Sequence, residues 1–236
     1  MKDREPRTLR PAKELSSILT AIITGIVTFA ATNVDDLLIL IFFFSQVNSS
    51  FRRGHIVAGQ YLGFAALVAI SLLGFFGSFI LPTAWIGFLG LVPIVMGVDK
   101  FIRGPAESGP LQADQLGKPS PRLSFLSGFF SRQTMAVAGV TFANGGDNLG
   151  IYTPLFAGSG LLRLGILLAI FFLLVSVWCY AGQLLSRRPL IAKTFSRHGR
   201  IIVPFVLAGL GIYILLDSGA AALATSWVRH FFLMRS

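Results

Sequence analysis

Val27-Thr28-Phe29-Ala30-Ala31-Thr32-Asn33-Val34-Asp35-Asp36-Leu37 sets two adjacent aspartates inside an apolar run that extends from Leu15 to Phe44. A bilayer crossing takes roughly 20 such residues, and the apolar core of a cleaved leader is shorter still. The run therefore reads as a retained membrane span. A charged side chain at the bilayer centre costs about 3 kcal/mol on insertion scales. Two in succession demand a chemical reason.

Outward from that stretch the rest of the chain has the same character. Of its 236 residues 54% are hydrophobic and only 13% are charged, about half the charged share of a soluble domain, and the mean hydropathy is +0.74. The apolar blocks predict an all-α polytopic membrane protein with six spans: 15–44, 55–80, 84–102, 125–156 (interrupted at Asn144-Gly145-Gly146), 161–185 and 201–216. Leu81-Pro82-Thr83 and Gly158-Ser159-Gly160 read as tight turns between neighbouring spans. Segments 1–14 and 220–236 are tails, and 103–122, rich in Pro, Gly and charge, is a linker. The net charge of +10 does not point to nucleic acid. Its Lys and Arg residues fall in tails and between apolar blocks, where they meet lipid headgroups and set topology. Their bias, twelve of twenty in the loops after spans one, three and five when Lys100 and Arg132 at the adjoining span ends are counted, places both termini outside the cytoplasm. The single Cys179 excludes an intrachain disulfide and reads as a packing residue.

The chain repeats itself. Val27-Thr28-Phe29-Ala30 returns as Val140-Thr141-Phe142-Ala143, 113 positions later; Asp35-Asp36-Leu37 returns as Asp147-Asn148-Leu149 after 112; Pro93-Ile94-Val95-Met96-Gly97 is matched by Pro204-Phe205-Val206-Leu207-Ala208 after 111. Three matches in the same order define two units, 15–102 and 123–219. Each holds three spans, an odd number, so the second copy enters the membrane upside down. Such inverted repeats carry their binding sites near the repeat interface.

Only Asp35, Asp36 and Asp147 place acid well inside apolar spans, and no Lys or Arg lies at the same depth to pair with them. Thr32, Asp35 and Asp36 stand at i, i+3 and i+4, one face of a helix; Asn144, Asp147 and Asn148 repeat the spacing. With Asn33 they make an all-oxygen set, the kind that hard divalent cations prefer. Gly145 and Gly146 loosen the second segment and supply a hinge or bare carbonyls, while Pro93 and Pro204 are further hinge candidates. Gln60, alone in an apolar run, reads more readily as an interhelical hydrogen bond than as a ligand. Asp99 and Asp217, near span ends, read as solvated.

Ala31-Thr32-Asn33-Val34-Asp35-Asp36 and Ala143-Asn144-Gly145-Gly146-Asp147-Asn148 resemble the two signature segments of the bacterial cadmium resistance transporters, within the lysine exporter superfamily. Gly59-Gln60-Tyr61-Leu62-Gly63 and the stretch Ile201 to Tyr213 are similar to that family as well. The resemblance implies a multi-pass protein of the cell (inner) membrane that exports a divalent metal ion, cadmium first. An oxygen-only set suits manganese or calcium better than a soft ion, and cadmium would enter it as an ion of calcium's size. The superfamily also contains amino-acid exporters, so a cationic amino acid is the alternative cargo; its carboxylate would need an additional partner.

An intramembrane aspartyl protease also keeps two membrane carboxylates, but pairs Tyr-Asp with Gly-x-Gly-Asp. Here Val34 and Gly146 precede the aspartates and Asn144-Gly145-Gly146-Asp147 forms the second motif, so the chain reads as a transporter and not as an enzyme. Three carboxylates with no basic partner would shed their mutual repulsion by taking up protons, and an arriving cation would release them. Proton exchange is the coupling this implies, with sodium as the other ion the same oxygens accept. No cofactor is called for. The expected partners are the cation (cadmium, manganese or calcium), protons and lipid, without nucleic acid, and a homodimer is left open.

Overall fold

The computed structural model describes residues 9–79, 88–89, 91–103 and 131–217. These form eight α-helices and no strand: α1 Leu9–Thr32, α2 Val34–Ser45, α3 Arg53–Gly77, α4 Leu91–Arg103, α5 Arg132–Asn144, α6 Gly146–Ala157, α7 Leu161–Leu185 and α8 Pro189–Asp217. The Leu81-Pro82-Thr83 turn, the start of the third span, residues 104–130 and both chain ends lie outside the described residues.

Three stretches are long and apolar enough to cross a membrane: Glu14–Thr32, Arg53–Gly77 and Leu161–Leu185. At 1.5 Å per residue, the 25 residues of α3 and of α7 reach about 37 Å, enough for a hydrocarbon core of about 30 Å. Two expectations need correction. The first span is not one helix from 15 to 44 but two, parted at Asn33. The last helix starts at Pro189 rather than near Ile201, because its basic first half winds into the same helix. The interruption expected at Asn144-Gly145-Gly146 is present, with Gly145 between α5 and α6.

The helices pack as α3 against α5 and α6, α7 against α1 and α2, and α4 against α8, with α1 also touching α8. Small residues set the closest approaches. On α3, Gly59 and Gly63 are one turn apart and face α5. A Cβ at Gly59 would fall 2.5 Å from Val137 Cβ, and one at Gly63 2.6 Å from the Ala138 carbonyl oxygen. Gly97 of α4 meets the Pro204 carbonyl of α8 in the same way, at 2.7 Å. Beneath the two helix breaks lies an aromatic cluster drawn from four helices. Phe29 packs on Phe64 at 5.5 Å, Tyr152 on Phe171 at 4.8 Å and Phe29 on Trp178 at 5.2 Å between ring centres. Cys179 is buried and unbonded beside this core, as a packing residue should be.

Asp217, expected as a solvated acid, is exposed and also takes Arg163 at 2.8 Å, and the same guanidinium donates to the Tyr213 hydroxyl. The pair ties the start of α7 to the end of α8. Being partly exposed, it is worth about 0–1 kcal/mol, so it fixes geometry more than stability.

Close approach makes α3 intolerant of even one carbon. Gly63→Ala should destabilise by about 1–3 kcal/mol, the usual cost of overpacking. Gly165→Ala, on α7 where a Cβ meets nothing within 4 Å, should stay within about 1 kcal/mol on the stabilising side. Thermal melts of the two detergent-purified variants make the comparison.

Candidate metal centre at two helix breaks

Asn33 breaks the first long helix with its own side chain. Its backbone sits at φ −111°, ψ 21°, and its Nδ2 donates to Phe29 O at 2.9 Å, to Thr32 Oγ1 at 2.8 Å and to Tyr152 OH at 2.8 Å. An Asn that binds backbone one turn back competes with the helical ladder. Trp178 of α7 then donates its indole N–H to Asn33 O at 2.6 Å. The matching break at Gly145 (φ −81°, ψ 13°) depends on the missing side chain, since the tip of Leu67 from α3 fills the place a Cβ would take.

Both breaks have the same electrical consequence. Asp35 and Asp36 fall in the first turn of α2, and Asp147 in the first turn of α6. Unpaired N–H groups at a helix N-terminus favour negative charge. The charge of these carboxylates is answered partly by helix ends. The shared helical face expected for Thr32, Asp35 and Asp36 does not exist, because Thr32 closes α1 while the acids open α2. The same holds for Asn144, last in α5, against Asp147 and Asn148 in α6.

Asp36 is the centre of the arrangement, 1% exposed. Gln60 of α3 donates from Nε2 to its Oδ2 at 2.9 Å, and Asn144 donates from Nδ2 to its Oδ1 at 2.8 Å. Thr141 in turn donates to Gln60 Oε1 at 2.7 Å. Gln60 is thus the interhelical bond the sequence suggested, and it also holds the carboxylate. Asp35, half-buried, accepts the Asp36 backbone N–H at 3.1 Å. Asp35 and Asp147 both lie close enough for their charge to act on Asp36.

A second cluster adjoins the first. Thr32 donates to Thr28 O at 2.9 Å and shares a hydrogen bond of 2.8 Å with Tyr152 OH, which also takes Asn33. Asn33 Oδ1 and Asn148 Oδ1 are buried with no hydrogen-bond partner among the described residues. Both residues are 1% exposed, and two amide oxygens left without donors are acceptors available to a cation. Gly146 opens α6 facing empty space. Pro93 and Pro204 are buried in the helices α4 and α8. Among the described residues no three His, Cys, Asp or Glu side chains gather closely enough to hold a metal by themselves. Amide, hydroxyl and main-chain oxygens would complete any coordination sphere.

Sequence reasoning missed Thr141, Tyr152 and Trp178. Thr141 was in view within the repeated Val-Thr-Phe-Ala segment, and Tyr152 stands one turn beyond Asn148 on α6. Trp178 gives no local signal.

Three helices long and apolar enough to cross a membrane, with a buried carboxylate packed among the helices, are the features of a helical membrane protein. Residues 29–227 match the family of cadmium resistance transporters, and the chain belongs to that family. No curated protein and no solved structure matches it.

Each hydrogen bond in the two clusters carries a different load. Gln60→Leu strips a donor from a buried carboxylate and an acceptor from Thr141, and should cost about 2–4 kcal/mol. Tyr152→Phe leaves Thr32 and Asn33 their other partners and should cost about 1 kcal/mol. Melting temperatures of the two variants in one detergent should fall in that order.

Proposed function

We propose that this chain is a multi-pass exporter of the inner membrane that moves a divalent metal cation, cadmium or an ion such as manganese or calcium, in exchange for protons. The cation passes through the Asp/Asn oxygen site at the two helix breaks. The observation that carries this reading is Asp36, a carboxylate buried in apolar surroundings and held from both halves of the chain, by Gln60 of the first and Asn144 of the second. A structural carboxylate at such depth would be expected to meet a basic side chain; among the described residues this one takes its side-chain hydrogen bonds from two neutral amides, which a cation can displace. The half-helices α1 and α5 end at the breaks, and their final carbonyls present negative potential where the cargo would sit. Cadmium, by family the first candidate, would be taken up as a calcium-sized ion by oxygen ligands.

The same reading arranges six spans as two inverted repeats. Exchanging α1 and α2 with α5 and α6, α3 with α7, and α4 with α8 carries the most extensive packing over, since α3 on α5 and α6 becomes α7 on α1 and α2 and α4 on α8 is unchanged, whereas the α1–α8 contact has no comparable α5–α4 counterpart. The Arg163–Asp217 pair is consistent with a fifth span that starts on the side where the sixth ends.

Asp36→Asn or Asp147→Asn keeps the size and one oxygen but loses the charge that a divalent ion requires. Either should reduce cation flux in proteoliposomes at least about a hundredfold, with the protein still inserted, while Asp99→Asn, exposed on α4, stays near wild type. Normal flux in Asp147→Asn alongside loss in Asp99→Asn would move the site elsewhere.

Proton exchange has a definite sign. Carboxylates bind the cation in their ionised form, so cation affinity should fall as pH falls, by up to about tenfold per pH unit for each proton that must leave. A pH dye inside the liposomes should report protons moving opposite to the cation. Cation flux without proton movement, at a rate constant through the acid range, would remove these carboxylates from the coupling.

A further inference from the structure

Helix α5 holds Asp36 twice, by two different means. Asn144 donates to Oδ1 directly, whereas Thr141, nearly one turn earlier, acts through Gln60. A primary amide has one accepting and one donating end. With the Thr141 hydroxyl on Gln60 Oε1 at 2.7 Å, the NH2 group is the end that faces Asp36, at 2.9 Å. Turning the amide over would set its oxygen against the carboxylate and take from the Thr141 hydroxyl its acceptor. Thr141 is 0% exposed, so no bulk water replaces that acceptor. Thr28 occupies the corresponding place 113 positions earlier. It is equally buried, yet its hydroxyl has no hydrogen-bond partner among the described residues. Helix packing at this repeat position therefore does not itself engage the hydroxyl; Gln60 does.

We propose that Thr141 is a positioning residue that fixes the polarity of the Gln60 amide and withholds its oxygen from a cation bound at Asp36, thereby setting the preference among divalent ions. The proposal rests on the reading of this site as a cation site. Withholding one neutral oxygen keeps the ligand count low. Calcium, which takes six to eight oxygens, loses most by this. An ion content with fewer ligands loses least.

The test is calorimetric titration of the full-length protein in lipid nanodiscs with Cd2+, Mn2+ and Ca2+ salts in turn. Thr141→Val keeps the shape and deletes the hydroxyl. It should raise Ca2+ affinity relative to Cd2+ by about two- to tenfold, the worth of one hydrogen bond. Thr141→Ser should restore the wild-type ratio, and Thr28→Val should leave that ratio unchanged. Gln60→Glu presents oxygen at the same place whatever Thr141 does, and should shift the ratio in the same direction; it decides the matter if Thr141→Val does not fold. An unchanged ratio in the folded Thr141→Val variant, or in Gln60→Glu, overturns the proposal. So does a shift that Thr141→Ser fails to reverse, since the hydroxyl would not be its cause. Asp36→Asn is the separate arm. Binding of all three ions as tightly as wild type would defeat the cation site itself, whereas its loss beside an unchanged Thr141→Val ratio defeats only the positioning role.

Discussion

A carboxylate in an apolar bundle with no cationic neighbour among the described residues has to be answered by dipoles, and the structure around Asp36 is organised by that requirement. Removing such a charge from water costs several kcal/mol even after relaxation. Here the compensation comes from two amide N–H groups and from the N-terminal turn of α2. Neutral donors suit the proposed role of a site that is filled and emptied. A lysine would hold the carboxylate permanently, whereas an amide gives way to a cation at the cost of one hydrogen bond.

Backbone approach makes that compensation reachable. Gln60 lies between Gly59 and Gly63 on α3, and these glycines let α5 come close enough for Thr141 to meet the amide. One tight seam thus serves packing and chemistry at once. The breaks serve the seam in turn: ending α5 at Asn144 directs its last side chain across to α2, and ending α1 at Thr32 turns the acids of α2 into helix-start residues. The second cluster, Thr32 with Asn33 and Tyr152, fastens α6 to the first break, so the two half-helix pairs meet at their weakest points.

The sequence displayed the long helices plainly because a hydrophobic run of bilayer length has few other readings. It displayed the break at Gly145-Gly146 as well, since two glycines in an apolar run are punctuation. Thr32-Asn33-Val34 carries neither Gly nor Pro, and the Asn33 side chain that breaks the helix is joined there by contacts from Tyr152 and Trp178, 119 and 145 positions away. No local rule reaches that far. Of the candidate ligands, Asp36, Asn144 and Gln60 are joined by direct hydrogen bonds, and Asn33 with Thr32 forms the neighbouring cluster. The helical spacing that first grouped them was the wrong reason, because a break runs through each triplet. Gly59-Gln60-Tyr61-Leu62-Gly63 was visible as a family-like segment, but its two glycines four apart were the stronger physical message. The early start of α8 was hidden by the charges of its first turns.

Trp178 lends the first break an optical property. Its indole N–H rests on the Asn33 carbonyl while its ring lies edge-on to Phe29. Indole emission shifts with the polarity around the ring and with the hydrogen bond its nitrogen makes. A motion that straightens or widens the break would change both at once and move the emission without any attached dye. The chain thus carries a native fluorophore wired to the carbonyl where its first long helix is interrupted.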